Sequence, residues 1–181
     1  MKYSGKFTLK NGQEVLIRNG DAADGAAVYE NFNQAHGETD FLLSYPDENS
    51  FDPEQEARFL EDKTNSDNEI ELIALIDGKV AGTAGIEAVG NKYKLKHRAE
   101  VGISILKEYW GLGLGRLLTS ACIQCAKEAG YSQVELNVVA ENTRAISLYK
   151  SLGFTEYGRD PRGFNSRISG YQELVYMRLE L

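Results

Sequence analysis

Residues 109–116 read Tyr-Trp-Gly-Leu-Gly-Leu-Gly-Arg, follow an apolar run and open an amphipathic helical pattern. The three alternating glycines leave the backbone almost bare at the point where a helix exposes its unpaired N–H groups. Those free amides and the positive end of the helix dipole both favour an anion. The stretch therefore predicts a turn that binds a phosphate-bearing ligand.

The segments before this turn predict an antiparallel meander. Asn-Gly at residues 11–12 and Asp-Gly at residues 77–78 each separate two apolar runs, which is a strong short-range signal of a hairpin. A third meander strand is expected over residues 94–105, and Gly102 within it predicts a bulge. The other predicted elements of this half are strands 7–9, 14–17, 70–76 and 80–86, a helix capped by Asp21 that ends near Gly37, an irregular stretch over 38–52, and a helix after Pro53.

The segments after the turn predict one crossover, because a helix and a buried-type strand follow it and would place a parallel strand beside the meander. A meander that feeds one crossover is an α+β fold, and a chain of 181 residues is expected to form a single domain. The predicted elements are helix 114–129, strand 133–139, helix 143–151 ended by Gly153, and strands 154–159 and 171–181 around a polar loop.

The charge and hydropathy of the chain exclude several classes of function. The formal net charge is −7, whereas non-specific binding to nucleic acid requires clustered Lys and Arg. No apolar run approaches the roughly 20 residues of a membrane-spanning helix, and the start lacks the apolar segment of a secretion signal. The sequence therefore predicts no nucleic-acid partner, no membrane span and a cytoplasmic location.

Cys122 and Cys125 form a Cys-x-x-Cys spacing that invites a redox or zinc interpretation. Both cysteines fall within the apolar stripe of helix 114–129, where small buried hydrophobic residues are expected. A redox pair is expected at a helix N-terminus, and a zinc site needs more ligands. Since the only histidines are His36 and His97, the pattern favours core packing and predicts no metal site.

A glycine turn after a strand has three common interpretations. A P-loop requires Gly-Lys-Ser/Thr, whereas Arg116 follows Gly115 here. A dinucleotide-binding fold requires Gly-x-Gly-x-x-Gly followed by an acidic residue, and Glu141 fits loosely, but Arg116 occupies the last glycine position. The third interpretation is a pyrophosphate held by the turn, with the rest of the ligand along the preceding strand. The antiparallel strands before the turn favour this third interpretation.

Two blocks of the sequence resemble motifs of the GNAT superfamily of N-acetyltransferases. The acetyl-CoA motif of that family, Arg/Gln-x-x-Gly-x-Gly/Ala, matches residues 110–115 except that Trp110 replaces Arg or Gln. A second block, Asn-x-x-Ala-x-x-Leu-Tyr-x-x-x-Gly-Phe, matches residues 142–154. The resemblance covers residues 69–181 and implies an acyl-CoA N-acyltransferase fold. In that fold a mostly antiparallel sheet has one parallel crossover and helices on both faces.

The resemblance implies that acetyl-CoA is the co-substrate and that three parts of the chain contact it. Amides of the turn would bind the pyrophosphate, and the backbone of a splayed strand would pair with the pantetheine arm. One face of helix 143–151 would complete the site, where Asn142 either contacts the arm or only caps the helix. The implied residues are Trp110, Gly111, Leu112, Gly113, Leu114, Gly115 and Arg116 in the turn, Ile103 and Ile105 in the strand, and Asn142, Ala145 and Tyr149 at the helix.

The resemblance also implies direct attack of an uncharged primary amine on the thioester, aided by an acid and a base. Tyr149 would protonate the leaving thiolate, as matching tyrosines do in the family, or else it is a core tyrosine. Family members place a glutamate base on either of two strands, and one of these positions is Asn137 here, which cannot accept the proton. Glu100 falls within a residue of the other position, so it is the expected base unless it pairs with Arg98.

The expected function is an acetyl-CoA-dependent N-acetyltransferase that acts on a primary amine of a small molecule. The alternatives are a protein N-terminus or lysine as acceptor, and a non-catalytic acyl-CoA sensor with the same pocket. The acceptor would lie across the sheet, between the first two helices and the last hairpin. The oligomeric state, a homodimer included, stays open. The candidate lining residues are Glu38, Asp40, Glu48, Tyr171 and Glu173, whereas Arg159, Arg162 and Arg167 are expected on the surface.

Overall fold

The computed structural model describes residues 1–181 and forms them into eight strands and four α-helices. The strands are β1 (Ser4–Thr8), β2 (Glu14–Asn19), β3 (Ile70–Ile76), β4 (Lys79–Ala88), β5 (Arg98–Ile105), β6 (Gln133–Val139), β7 (Thr155–Ser166) and β8 (Gly170–Glu180). The helices are α1 (Gly25–Glu38), α2 (Pro53–Asn65), α3 (Leu114–Glu128) and α4 (Thr143–Ser151). None of these helices has both the length and the apolar composition that crossing a bilayer requires.

All eight strands form one sheet in the order β1-β2-β3-β4-β5-β6-β8-β7. Adjacent strands are antiparallel except β5 and β6, which are connected through α3 and pair in parallel. The predicted meander with one crossover is therefore confirmed. The dinucleotide-binding interpretation is excluded, because that fold is built on a mostly parallel sheet.

Both faces of the sheet are covered by helices, which explains why β3 is apolar almost throughout. Successive side chains of a strand point to opposite faces. Leu72 packs in the same core as Leu118 of α3, whereas Ile73 packs with Val28 of α1 and Leu60 of α2. Helix α3 therefore lies on one face of the sheet, and α1 and α2 lie on the other.

The two cysteines are free and buried in the core that α3 shares with the sheet. Burial raises the pKa of the Cys125 thiol to about 11 and also raises the pKa of Cys122. Both thiols are consequently protonated and unreactive at neutral pH. The prediction of core packing is confirmed.

The third meander strand is shorter than predicted and carries no bulge. Residues 94–97 form a turn, in which the N–H of Arg98 donates to the carbonyl of Leu95 at 3.0 Å, so β5 begins at Arg98. Gly102 pairs with Gly85 of β4 in an unbroken register. The glycine does not interrupt the ladder, and nothing lies within 4 Å of the point where a side chain at Gly102 would begin.

The final hairpin is longer than predicted. Most of the polar segment expected as a loop is strand, because β7 continues to Ser166 and β8 begins at Gly170. Irregularities in the register between Asp160 and Phe164 accommodate the interruption at Pro161. Polar composition was a poor guide here, since these side chains hydrogen-bond to the segment that precedes α2.

Candidate active site

Strands β5 and β6 pair over only three residues and then diverge. Their parallel ladder runs from Arg98 and Gln133 to Glu100 and Glu135, although β5 continues for five more residues. The edge of β5 beyond Glu100 therefore has no neighbouring strand. Such an edge leaves backbone N–H and C=O groups available to a ligand.

The register of β5 shows which backbone groups line the gap between the two strands. The carbonyl of Arg98 accepts a hydrogen bond from the β4 side, whereas that of His97 accepts one from the start of β6. The backbone N–H and C=O groups of neighbouring residues in a strand point to opposite sides. Those of Ile103 and Ile105 therefore point to the same side as those of His97, which is the side of the gap. The carbonyl of Ile105 accepts the indole N–H of Trp110 at 2.8 Å. The N–H of Ile105 and both groups of Ile103 remain open.

The glycine turn at the start of α3 presents a row of unpaired amides. Gly111 and Gly113 have φ angles of +80° and +95°, which L side chains rarely adopt. The first amides with an acceptor after the turn are those of Arg116 and Leu117, which both donate to the carbonyl of Gly113. The five amides from Gly111 to Gly115 make no hydrogen bond within the chain. Free amides at a helix N-terminus are suited to bind the phosphates of a ligand.

Two neighbours hold the glycine turn in place. The N–H of Lys10, between β1 and β2, donates to the carbonyl of Leu112 at 3.0 Å. A side chain at Gly115 would meet Leu148 of α4 at 3.1 Å, so glycine allows α3 and α4 to approach closely. Carbon atoms of the Lys10 side chain lie 3.8 Å from the point where a side chain at Gly113 would begin. A cationic side chain therefore lies beside the unpaired amides.

Helix α4 brings its N-terminal residues against the glycine turn, where the guanidinium of Arg144 lies 5.2 Å from the ring centre of Trp110. The Asn142 side-chain oxygen caps the helix by accepting the N–H of Ala145 at 3.3 Å. The Nδ2 group of Asn142 has no partner within the chain. Asn142 therefore caps α4, and the N–H groups of its side-chain amide remain available to a ligand.

Tyr149 is buried, with 6% of its surface exposed, and its ring packs against Phe154 at a centroid distance of 5.7 Å. Its hydroxyl makes no hydrogen bond within the chain. The hydroxyl is nevertheless not fully enclosed, because Asn31 Oδ1 is the only fully enclosed side-chain polar atom without a partner. The hydroxyl therefore keeps some access to a ligand. Burial raises the pKa of Tyr149 well above the ordinary phenol value, so the group stays a hydrogen-bond donor.

A groove of about 610 Å³ lies over β3, β4 and β5 on the face that carries α1 and α2. It reaches Ile103, so this groove and the gap between β5 and β6 meet at the edge of β5. We call it the acceptor groove. Its walls combine aromatic rings and carboxylates, which are Phe32, Phe51, Phe59, Glu48, Glu56, Glu71, Glu87 and Glu100.

Glu100 lies where the acceptor groove meets the gap. Its carboxylate accepts a hydrogen bond from Asn137 Nδ2 at 3.3 Å. Arg98 does not pair with Glu100, because its guanidinium donates to both carboxylate oxygens of Glu135. Partial burial, followed by the negative charges of Glu135 and Glu87, raises the pKa of the Glu100 carboxyl.

Glu71 and Glu56 also line the acceptor groove, and the sequence analysis missed both. Burial, together with the charges of Glu56 and Glu87, raises the pKa of Glu71 to about 8, although Thr83 and Lys63 act to lower it. Burial likewise raises the pKa of Glu56. Glu71 carried a signal, since it is the one charged residue in the otherwise apolar segment 70–76. Glu56 carried none, because charged residues are common throughout α2.

The segment between α1 and α2, residues 39–52, forms a roof over the acceptor groove and is bonded to the β7–β8 hairpin. The hydroxyl of Ser166 lies 2.7 Å from both carboxylate oxygens of Asp40. The Ser169 hydroxyl donates to the same carboxylate at 2.7 Å, and Gln172 Nε2 donates to the Asp40 backbone carbonyl at 3.0 Å. These contacts fix the roof segment across the groove.

Among the acceptor-lining residues expected from sequence, only Glu48 faces the groove. The others make contacts within the chain, because α1, α2 and the roof segment build the acceptor face and the last hairpin does not. Glu38 accepts the N–H of Lys107, Asp40 anchors the roof segment, Tyr171 stacks with Arg162, Glu173 pairs with Arg159, and Arg167 pairs with Asp47.

Known proteins share this fold. The family model described as acetyltransferase (GNAT) family matches residues 29–154. The acetyltransferase of the GNAT family from Streptococcus pneumoniae has a TM-score of 0.88 at 31% identity, covering 92% of this chain and 99% of that one. The protein yncA from Salmonella typhimurium, solved with its cofactor acetyl-CoA, has a TM-score of 0.80 at 26% identity, covering 92% and 94%.

Mycothiol acetyltransferase of Renibacterium salmoninarum is 41% identical over 80 residues, which cover 44% of this chain. The match covers 21% of that protein, so less than half of this chain matches about a fifth of the relative's length.

Proposed function

Because the chain belongs to the GNAT family of acetyltransferases, we propose that it transfers the acetyl group of acetyl-CoA to a primary amine of a small molecule. The observation that carries this proposal is the row of unpaired amides from Gly111 to Gly115 next to the gap between β5 and β6. A ligand with a pyrophosphate and an amide-bearing arm matches both features. The acetyl-CoA described in the relative yncA supports the same ligand here.

The pyrophosphate would accept hydrogen bonds from the turn, and the pantetheine arm would lie along β5 like an added strand. Ile103 offers both its N–H and its C=O to that arm. Ile105 offers only its N–H, because Trp110 occupies its carbonyl. An arm in this position brings the thioester to the junction of the gap and the acceptor groove.

The acceptor groove would deliver the amine to the thioester carbonyl. A primary amine is mostly protonated at neutral pH, and the carboxylates of the groove attract that cation. Glu100 lies at the junction and would accept the proton, which its raised pKa favours. The neutral amine then forms a C–N bond with the carbonyl carbon, and the C–S bond breaks with its electron pair on sulfur. Most of the rate would come from positioning the two reactants.

Tyr149 would donate its hydroxyl to the sulfur as the thiolate leaves. The hydroxyl is protonated, has no partner within the chain and lies on α4, which packs against the glycine turn. The nitrogen loses its second proton as the amide forms, and that proton restores the Tyr149 hydroxyl through solvent. The first proton, held by Glu100, leaves to solvent. No covalent enzyme intermediate is required, because the amine attacks the thioester directly.

The roof segment favours a small molecule over a peptide as the acceptor. It is fixed across the groove by the contacts of Asp40, and it leaves about 610 Å³ beneath. A cavity of that size is typical for a small ligand.

A screen of CoA release tests the proposal. The purified protein is incubated with acetyl-CoA and a library of small amines and peptides, and free thiol is followed with a chromogenic reagent. We expect turnover with small primary amines. Tyr149→Phe and Glu100→Gln should each lower kcat by about 10- to 100-fold, with the Kd for acetyl-CoA nearly unchanged in calorimetry. Tyr93→Phe and Glu54→Gln, both exposed and outside the site, are the controls.

Two outcomes would contradict this function. Acetyl-CoA binding without turnover of any amine would indicate a non-catalytic acyl-CoA sensor. Turnover confined to peptides would indicate a protein acetyltransferase.

A further inference from the structure

The inner end of the acceptor groove, beneath α2, contains a carboxylate that the reaction at Glu100 does not use. Glu56 is only 7% exposed, and its side chain makes no hydrogen bond or ion pair within the chain. The part that stays exposed lines the groove. The carboxylate oxygens are not fully enclosed, yet a largely buried carboxylate without a partner is unfavourable in an empty groove, which points to a ligand that supplies its partner.

Glu71, on β3, lies beside Glu56 at one end of a row of paired residues that crosses the sheet. Glu71 is in register with Gly85 of β4, which is in register with Gly102 of β5. A side chain at Gly85 would collide with the Glu71 carboxylate. The Glu71 carboxylate therefore extends over Gly85 towards β5, and the surface above Gly102 beyond it is open.

No basic group of the chain donates a hydrogen bond to either carboxyl group. Lys63 is the closest candidate on α2, but its Nζ donates to Glu69 and Glu87, each at 2.7 Å. His36 lines the same groove, and burial lowers its pKa, so the ring is neutral at neutral pH. With a pKa of about 8, Glu71 is largely protonated at neutral pH while the groove is empty, and a cation that would favour its ionised form must come from a ligand.

We propose that Glu56 and Glu71 form a subsite for a second ammonium group of the acceptor, which is then a linear diamine acetylated at one end. This inference rests on the proposed function and adds a recognition element to the same groove. An ammonium group between two carboxylates makes charge-assisted hydrogen bonds, which are stronger than neutral ones. The hydrocarbon linker would pack against the rings of Phe32 and Phe59, which line the groove.

The spacing of the strands sets the length of the linker. Glu71, Gly85 and Gly102 lie on three adjacent strands, so the Cα atoms of Glu71 and Gly102 are about 10 Å apart. The Glu71 side chain at one end and that of Glu100 at the other reduce the distance that the ligand must cover. A linker of about four to six carbons is expected.

Matched amines test the subsite. Diaminobutane, diaminopentane and diaminohexane, each with its nitrogens at the chain ends, are compared with butylamine, pentylamine and hexylamine. We expect the intact protein to have a kcat/KM at least about tenfold higher for the best diamine than for its monoamine. Glu56→Gln with Glu71→Gln should remove that preference, because it should lower the kcat/KM for the diamine to about that of the matched monoamine.

Further variants separate recognition from folding. Glu56→Gln alone should lose part of the preference, and Glu54→Gln, on the exposed first turn of α2, should keep all of it. Acetyl-CoA binding by calorimetry shows whether each variant is folded.

Each remaining outcome bears on the inference. Equal kcat/KM for diamines and monoamines, or a preference that survives the double substitution, overturns the subsite and leaves the acetyltransferase proposal standing. If no amine is acetylated, the change in melting temperature on adding diaminopentane alone shows whether the subsite binds a diamine. A shift in the intact protein that the double variant lacks supports the subsite and contradicts the proposed function, and no shift contradicts both.

Discussion

Gly85 lies opposite Glu71 on the neighbouring strand, and the Glu71 carboxylate occupies the space where a side chain at Gly85 would begin. Such a side chain would also lie 3.0 Å from the carbonyl oxygen of Ile70. The absence of a side chain at this position of β4 thus determines where the carboxylate of β3 can lie.

Gly85→Ala is expected to destabilise the protein by about 1–3 kcal/mol, because the added methyl group displaces the Glu71 carboxylate or the backbone behind it. The measurement is urea unfolding. Gly102→Ala is the control, since nothing lies within 4 Å of a side chain at that position. An equal loss of stability in both variants would show that the contact with Glu71 is unimportant.

Gly113→Ala should weaken acetyl-CoA binding, because a strained or shifted turn no longer aims its amides at the pyrophosphate. The backbone of Gly113 has a φ of +95°, which costs an L residue about 1–2 kcal/mol. Gly130→Ala is the matched control. Gly130 has a φ of +82° and open space around it, and it follows the other end of α3, away from the turn. Both variants should lose similar stability in urea. Only Gly113→Ala should raise the Kd in calorimetry, and a similar rise in both would contradict the turn's role.

Lys10→Met should raise the Kd for acetyl-CoA about fivefold at low salt, as expected for one exposed ionic contact. The Lys10 side chain runs beside Gly113, so its ammonium group adds to the potential that attracts the phosphates. Methionine keeps the length of the side chain and removes the charge. Binding titrations at several salt concentrations should show a weaker salt dependence for this variant. Lys6→Met, on β1, should match the intact protein, and an unchanged salt dependence in Lys10→Met would oppose the prediction.

Glu71 should make the stability of the protein depend on pH. Its pKa is about 8 in the folded chain, above the ordinary value of 4.5. A group whose folded pKa is raised stabilises the folded state fully below its unfolded pKa, and that contribution is lost as pH rises through the folded value. The free energy of unfolding, compared with that of Glu71→Gln, should therefore fall between about pH 5 and pH 8.

Urea denaturation at several pH values measures this difference, and Glu54→Gln serves as the control. Parallel curves for the intact protein and Glu71→Gln would show that the Glu71 pKa does not differ between the folded and unfolded states.

The phosphate-binding half of the site could be predicted from the sequence because it is local. The glycines of residues 111–115 are adjacent in the chain, and a helix N-terminus needs only the few residues around it. The same holds for the block from Asn142 to Tyr149, whose spacing on a helix places its members on one face.

The acceptor half could not be predicted in the same way. Glu56, Glu71 and Glu100 come from α2, β3 and β5, and only the strand register and the seating of α2 bring them into one groove. The longer β7 was missed for a related reason. Its polar residues are held by contacts with Asp40, which lies more than a hundred residues earlier in the chain.

The bonds between Asp40 and the β7–β8 hairpin have a mechanical consequence. Strand β8 is also the antiparallel neighbour of β6, which forms one wall of the gap. A displacement of β6 would therefore reach the roof segment through β8, Ser166 and Gln172. The wall of the gap and the cover of the acceptor groove are thus mechanically connected through one hairpin.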